Sequence, residues 1–357
     1  MLTALCAIFW LRLKPRGPSF PRFMMTKIPN FSRLAATTCG TLLLFLTTSG
    51  IVTAQDKILP PVPEGAWTVA VIPDTQYYSQ KDANAPIFTE MTQWLAAHRD
   101  ERNIKLVLHV GDIVQDNEDR QWQNAKKSMQ VLDGKIPYVL AVGNHDLGRN
   151  ARSRKTMLNQ YFKISDNPLN EKMLGGVFKQ GELENAWYHF RHNGWEAIIF
   201  SLEFGPREEV VNWANQVAAK HADKAMILVT HEFIDQESTL SSDDGLPRRT
   251  TRETTNNPHK YPISKQAKVH CGEELWQAFV SKYPNFRLVV NGHYKPFERV
   301  GNNRLRHVHD LTSVHRSDSL KEGHHTHQML FNAQWAPRGG HGWLRLLEFQ
   351  PDGKTVK

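Results

Sequence analysis

The sequence predicts an α/β fold, and three observations carry that expectation. Short apolar runs rich in Val, Ile and Leu recur along the chain, stretches with apolar residues at helical spacing lie between them, and the runs end abruptly in polar residues. Strands alternating with helices place a parallel or mixed sheet between helical layers, and the carboxyl ends of such strands converge on one edge. With 357 residues and 40% hydrophobic composition, the chain is long enough to bury a large core and too apolar to be disordered.

Residues 1–54 hold six basic residues (Arg12, Lys14, Arg16, Arg22, Lys27, Arg33) and no acid. Lys27 and Arg33 precede an apolar stretch from Leu34 to Val52 that contains TLLLFL and closes with VTA before Gln55, the pattern of a cleavable export signal. Cleavage after Ala54 and a secreted or periplasmic protein are expected. Thr37, Thr38, Thr47, Thr48 and Ser49 dilute the run and argue against a stable membrane anchor. Residues 1–23 form a separate apolar and basic patch broken by prolines, so Met24 or Met25 is an alternative start. Six of the eight excess positive charges leave with this segment, and the remaining +2 supports no nucleic-acid-binding surface. Cys6 and Cys39 leave too. Cys271 then stands alone, which excludes an intramolecular disulfide, and no motif around it supports a thiol nucleophile. The sequence does not specify an oligomeric state.

KILPPVPEG reads as a linker (residues 55–66) ahead of one domain over residues 67–357. Strands are expected at TVAVIPD, IKLVLHVGD, YVLAVGNHD, EAIIFSLE, AMILVTHE and FRLVVNGH. Helices are expected around Phe88, Met91, Trp94 and Leu95, around Trp122, Ala125, Met129 and Leu132, and in EEVVNWANQVAAK and EELWQAFVSKY. A stretch rich in Ser, Thr, Asn and Pro between Asp235 and His270 reads as an exposed excursion. The terminal WLRLLEFQPDGKTVK reads as a strand, a turn at Pro351, Asp352 and Gly353, and the start of a partner strand. So few residues remain to pair that a shortened or frayed end is expected.

Five of the apolar strands end in residues able to bind a metal: Asp74 with Gln76, Asp112, Asn144 with His145 and Asp146, His231, and His293. Singly, each has a plainer explanation: a turn acid, a helix cap, a Gly-Asn turn, a hydrogen-bonded buried histidine. As an ordered set of carboxylates, imidazoles and amides they suit borderline to hard divalent cations, and an Asp able to bridge suits two. HEFID lacks the second histidine of the zinc-protease helix signature, which removes that rival.

The blocks PDTQ, GDIVQD, GNHD, THE and NGH, in this order and at these distances, resemble those of the calcineurin-like metallophosphoesterases, over about residues 68–350. More narrowly, IPDTQYY, HVGDIVQDN, HQML and GGHGWLRLLEF resemble a secreted subgroup whose first block carries Gln in place of His. The resemblance implies a four-layer αββα sandwich and a site for two divalent ions, drawn from Mn, Fe, Zn or Mg. It implies that Asp74 and Gln76 face the first metal, that Asp112 bridges both, and that Asn144, His231 and His293 hold the second. His145 would lie beside the substrate, orienting phosphate and protonating the leaving oxygen. The implied activity is metal-dependent hydrolysis of a phosphoester substrate, monoester or diester: two cations neutralise phosphoryl oxygens and acidify water, and an imidazole supplies the leaving-group proton.

The sequence departs from the family's pattern at three positions. Gln76 offers an amide where an imidazole is usual, and Lys295 in GHYK stands where a second histidine is common; a protonated lysine cannot ligate a cation. The first position therefore needs water, His109 or His325 to complete it, or suits a harder ion. Gln115 replaces an acid that often orients the catalytic histidine, with Asp116 and Asp146 as candidate substitutes. The altered ligands keep a second class in view, a catalytically weak or inactive secreted binding domain, against which the intact Asp112, Asn144 and His145 argue. His324, His325 and His327 fit a solvated loop and a place beside the metals equally. Tyr77 and Tyr78 read as core or rim before leaving-group contacts, and the glycines of RGGHGW as turn residues before substrate contacts.

Overall fold

Strand Trp67–Ile72 is buried at all six positions because its two faces meet different layers. Trp67, Val69 and Val71, with Leu106 and Leu108 of strand Ile104–His109, meet Tyr188, Phe190, Ile199, Ile227, Val229, Leu288 and Val290 of a second sheet. Residues between them point the other way, where the Phe88 ring of helix Ala85–Ala97 lies 6.0 Å from the His109 ring. The computed structural model describes residues 9–11 and 59–357, apart from 149, 238–239, 241–245, 301–303 and 321–322. The Leu34–Val52 stretch and the expected cleavage point after Ala54 lie outside the described residues, among which no helix is long and apolar enough to cross a membrane.

The first sheet has the order Phe9–Leu11, Leu344–Phe349, Trp67–Ile72, Ile104–His109, Tyr138–Leu140. Its last three strands run parallel, joined through helices Ala85–Ala97 and Asp119–Met129. The second sheet has seven strands, in the order Thr312–Ser319, His325–Asn332, Phe286–Asn291, Ala225–Val229, Trp195–Ser201, Ala186–His192, Leu174–Val177. Four central strands run parallel and the edges are antiparallel. On its outer face Phe200, Leu228, Phe286 and Val289 pack against Val210, Ala214 and Val217 of helix Glu208–Ala219 and against Leu275 and Phe279. Helix, sheet, sheet and helix thus form the expected four-layer αββα sandwich. Full burial of each such side chain contributes about 1.5–3 kcal/mol.

Three expectations change. His325–Asn332 is a strand, not a solvated loop; its histidines hide an alternation that becomes visible only beside its partners. The excursion is anchored rather than exposed throughout: Arg248–Arg249 pairs with Ile234–Asp235, and Thr250, Asn257 and Ile263 are buried. The terminal residues are paired rather than frayed, since Glu348 and Lys357 exchange both backbone hydrogen bonds at 2.9 Å and Gln350 N donates to the Thr355 carbonyl. Asp352 holds that turn by accepting from the amides of Lys354 and Thr355.

Candidate metal centre

Five strand ends meet at one edge of the two sheets. His293 N donates to Asp74 Oδ2 at 3.1 Å, Thr75 N to the Asp112 carbonyl at 3.1 Å, and His145 N to Asp112 Oδ1 at 2.9 Å. Two glycines allow the approach: a Cβ at Gly143 would stand 2.2 Å from Asp112 Oδ1, and one at Gly292 would stand 2.0 Å from Asp74 Oδ1. No side chain fits either place. Asp112 and His293 adopt left-handed φ angles of 49° and 74°, conformations that cost about 1–3 kcal/mol and persist where the surroundings over-determine them.

Each imidazole is oriented by a main-chain carbonyl. His231 Nδ1 donates to Val110 O at 2.8 Å, which turns Nε2 toward Asp112 Oδ2, 3.1 Å away. His293 Nε2 donates to Asn256 O at 2.9 Å, leaving Nδ1 3.2 Å from His231 Nε2. Asp112, His231 and His293 thereby present one ligand atom each, all within 4.8 Å of one another. His145 Nδ1 donates to Gln115 O at 2.8 Å. The substitutes proposed from sequence act elsewhere: Asp146 accepts from Val114 N and Gly143 N at 2.9 and 2.8 Å, and Asp116 accepts from Gln121 Nε2 at 3.3 Å. The loop after Ile104–His109 offers a carbonyl, not a carboxylate, to His145. Beside His231 and His293 stands Phe204, whose ring is 5.9 and 5.3 Å from theirs and 5.1 Å from that of Tyr261.

The buried charges act on one another. Burial opposes ionisation of Asp112, but the His231 and His145 imidazoles outweigh it and hold the carboxyl below the usual range. Burial also lowers His231, yet the Asp112 and Asp74 carboxylates push it up to about 9. Burial and the neighbouring His231 hold His293 down to about 3. Burial pushes Asp74 well above an ordinary carboxyl.

Gln76 Oε1 and Asn144 Oδ1 are buried and have no hydrogen-bond partner among the described residues. A buried acceptor left unpaired costs about 1–3 kcal/mol. A divalent cation satisfies amide oxygens, carboxylates and a free imidazole nitrogen together, so the residues present fit such ions.

The structure brings Asp74, Asp112, His145, His231 and His293 into contact, with Gln76 two residues from Asp74 and Asn144 next to His145. Neither proposed extra histidine joins them. His109 Nδ1 accepts from Gly111 N at 3.2 Å and its Nε2 lies 3.0 Å from Thr75 Oγ1, so both nitrogens are engaged. His325 is exposed at the far end of its strand, seven residues from Asn332, or roughly 23 Å. His324 contacts Arg287, and His327 contacts His315. Lys295 Nζ lies 4.8 Å from the Trp335 ring centre. Tyr78 is buried with its hydroxyl accepting from Gly342 N at 2.9 Å. Around it, the RGGHGW glycines approach tyrosines: a Cβ at Gly340 would stand 2.5 Å from that hydroxyl. Cys271 is buried, which raises its thiol and keeps it inert. Sequence reading missed Asn332 and Gln334, whose side-chain amides donate to Asp74 Oδ2 at 2.9 and 2.7 Å. HQMLFNAQ, an apolar run ending in Asn and Gln, carries the same strand-end signal as the other blocks.

A cluster of carboxylates, imidazoles and amides at the carboxyl edge of a four-layer αββα sandwich defines a metallophosphoesterase fold. The chain belongs to the calcineurin-like phosphoesterase family, whose model matches residues 68–295. The uncharacterized protein YvnB of Bacillus subtilis (strain 168) is 33% identical over 307 residues, which is 85% of this chain and 20% of that protein. The chain thus spans about a fifth of the curated relative it matches. Among solved structures, a purple acid phosphatase from yellow lupin (Lupinus luteus) seeds is 14% identical with a TM-score of 0.40, over 81% of this chain and 50% of that one. A 5'-nucleotidase precursor from Thermus thermophilus is 13% identical with a TM-score of 0.39, over 82% of this chain and 53% of that one.

Proposed function

We propose that the chain is an exported metal-dependent phosphoesterase, of the subgroup with Gln in its first block, hydrolysing a phosphomonoester or phosphodiester at a dinuclear centre. The observation that carries this reading is the pair of buried oxygens without partners among the described residues, Gln76 Oε1 and Asn144 Oδ1, on the blocks that also supply Asp74, Asp112, His231 and His293. Asp74 and Gln76 would hold the first cation, Asn144, His231 and His293 the second, and Asp112 would serve both. Mn, Fe, Zn or Mg ions bound there would supply Lewis acidity, neutralising phosphoryl oxygens and acidifying the attacking water. His145 supplies what the ions do not. Its Nδ1 is committed to the Gln115 carbonyl, so Nε2 is the atom that delivers a proton to the leaving oxygen.

The test pairs metal content with turnover. The expected result is two divalent ions per chain and metal-dependent hydrolysis of p-nitrophenyl phosphate or bis(p-nitrophenyl) phosphate, the preferred substrate separating monoesterase from diesterase. Bound metal without turnover under any of the four ions would place the chain among binding domains that keep this fold. For export, N-terminal sequencing of secreted material is expected to begin at or near Gln55, a product without the edge strand Phe9–Leu11; an intact N-terminus in a membrane fraction would replace the signal with an anchor.

A further inference from the structure

We propose that Gln334 completes the first cation position, its side-chain oxygen serving where the chain offers no imidazole. The inference rests on the dinuclear reading above. Gln334 is 3% exposed, and its Oε1 has no hydrogen-bond partner among the described residues. Its Nε2 donates to Asp74 Oδ2 at 2.7 Å. Oxygen and nitrogen are the two ends of one planar amide, so the free oxygen lies an amide's width from the nitrogen that meets Asp74. The backbone at this point is held as well: Gln334 N donates to Asn332 Oδ1 at 3.0 Å, and Asn332 Nδ2 donates to Asp74 Oδ2 at 2.9 Å. The turn after strand His325–Asn332 is therefore tied to Asp74 by two side chains.

Asn332 has both ends of its amide engaged by these bonds, whereas Gln334 has one end left over. Gln76, two residues from Asp74, carries a second buried oxygen of the same kind. Two such acceptors beside a carboxylate call for a partner that satisfies several oxygens together. Lys295 is turned away, with its ammonium over the Trp335 ring at 4.8 Å. His231 gives its two ring nitrogens to the Val110 carbonyl and to Asp112, and His293 gives Nε2 to the Asn256 carbonyl. A cation remains. A position made of Asp74, Gln76, Asp112 and Gln334 contains only oxygen donors, which favours a hard ion such as Mn or Mg, whereas the two imidazoles of the other position favour Zn.

The inference is tested on the full chain by metal analysis after dialysis and by calorimetric titration of the stripped protein with Mn. The parent is expected to hold two Mn ions. Gln334→Met, similar in size but without the oxygen, is expected to weaken the weaker of the two binding steps by about 10–100-fold or more, leaving one ion after dialysis. Gln334→Glu, which keeps an oxygen at that place, should bind the second ion at least as tightly as the parent. Two ions held by Gln334→Met with unchanged affinity would overturn the role of Gln334 and leave the dinuclear reading intact. Loss of both ions from a folded Gln334→Met would equally overturn it, because the effect would not be confined to one position. If Gln334→Met does not fold, a tenfold or greater weakening in Gln334→Glu overturns the inference and retained affinity supports it. A parent that holds one ion or none would instead overturn the dinuclear reading, and this inference with it.

Discussion

The imidazole side of the site and its amide side are held by different means. His231 and His293 each give one ring nitrogen to a main-chain carbonyl, of Val110 and of Asn256, and the other nitrogen faces Asp112 or its neighbour. Asp74 is held mainly by side chains, the amides of Asn332 and Gln334, with His293 N as its backbone donor. A carbonyl survives substitution of the residue that bears it, while an amide side chain does not. The imidazole side is therefore robust to sequence change, and the chemistry of the amide side depends on which side chains stand there. Asn256 shows that the excursion, polar by composition, contributes to the more robust side.

The largest effect is expected where the two sides share a residue. Asp112→Ala should reduce bound metal below one ion per chain and abolish measurable hydrolysis, read by metal analysis and a phosphoester assay. Near-normal metal content with turnover intact would break the comparison at its centre. Next, His145→Ala should keep the metal while turnover falls by roughly two to four orders of magnitude, the usual worth of a positioned proton donor. The loss should be smaller for a nitrophenolate leaving group, which departs without a proton, than for an alkyl alcohol; loss of an ion would move His145 to the imidazole side.

A smaller and more selective effect separates the sides themselves. Gln76→His adds an imidazole to the amide side and should raise zinc affinity at the weaker position by about tenfold, whereas His231→Gln should lower it at the other. Zinc and manganese titrations read both changes, and equal responses of the two variants would erase the distinction.

The last effect concerns stability. Glu232, next to His231, is buried and accepts from the Tyr294 hydroxyl at 2.9 Å, and burial raises its carboxyl to about 7. An unfolded glutamate titrates at about 4.3, so the folded chain binds the extra proton between these values and loses stability as pH rises through the window, by at most about 4 kcal/mol. Glu232→Gln should remove that decline. Thermal melts at pH 5 and 7.5 measure it, and the same drop in both proteins would show that Glu232 does not titrate there. Burial raises Asp74 and Asp146 as well, but they contribute to both proteins and cancel in the difference.

Short apolar runs, helical spacing and polar strand ends are local properties, so the α/β class, most parallel strands and, as a candidate site, the set Asp74, Gln76, Asp112, Asn144, His145, His231 and His293 were legible in the sequence alone. The glycines beside them were visible too, but their necessity appears only where Gly143 and Gly292 meet carboxylates of other strands. Tertiary structure alone decided who holds whom. Asp74 meets His293 across 219 residues and Gln334 across 260, separations that no local pattern encodes. It also decided that His109 is engaged elsewhere, and that carbonyls of Gln115, Val110 and Asn256 orient the three imidazoles. Every residue carries a carbonyl, so nothing in a sequence marks the few that matter; the packing of the two sheets and the path of the excursion select them.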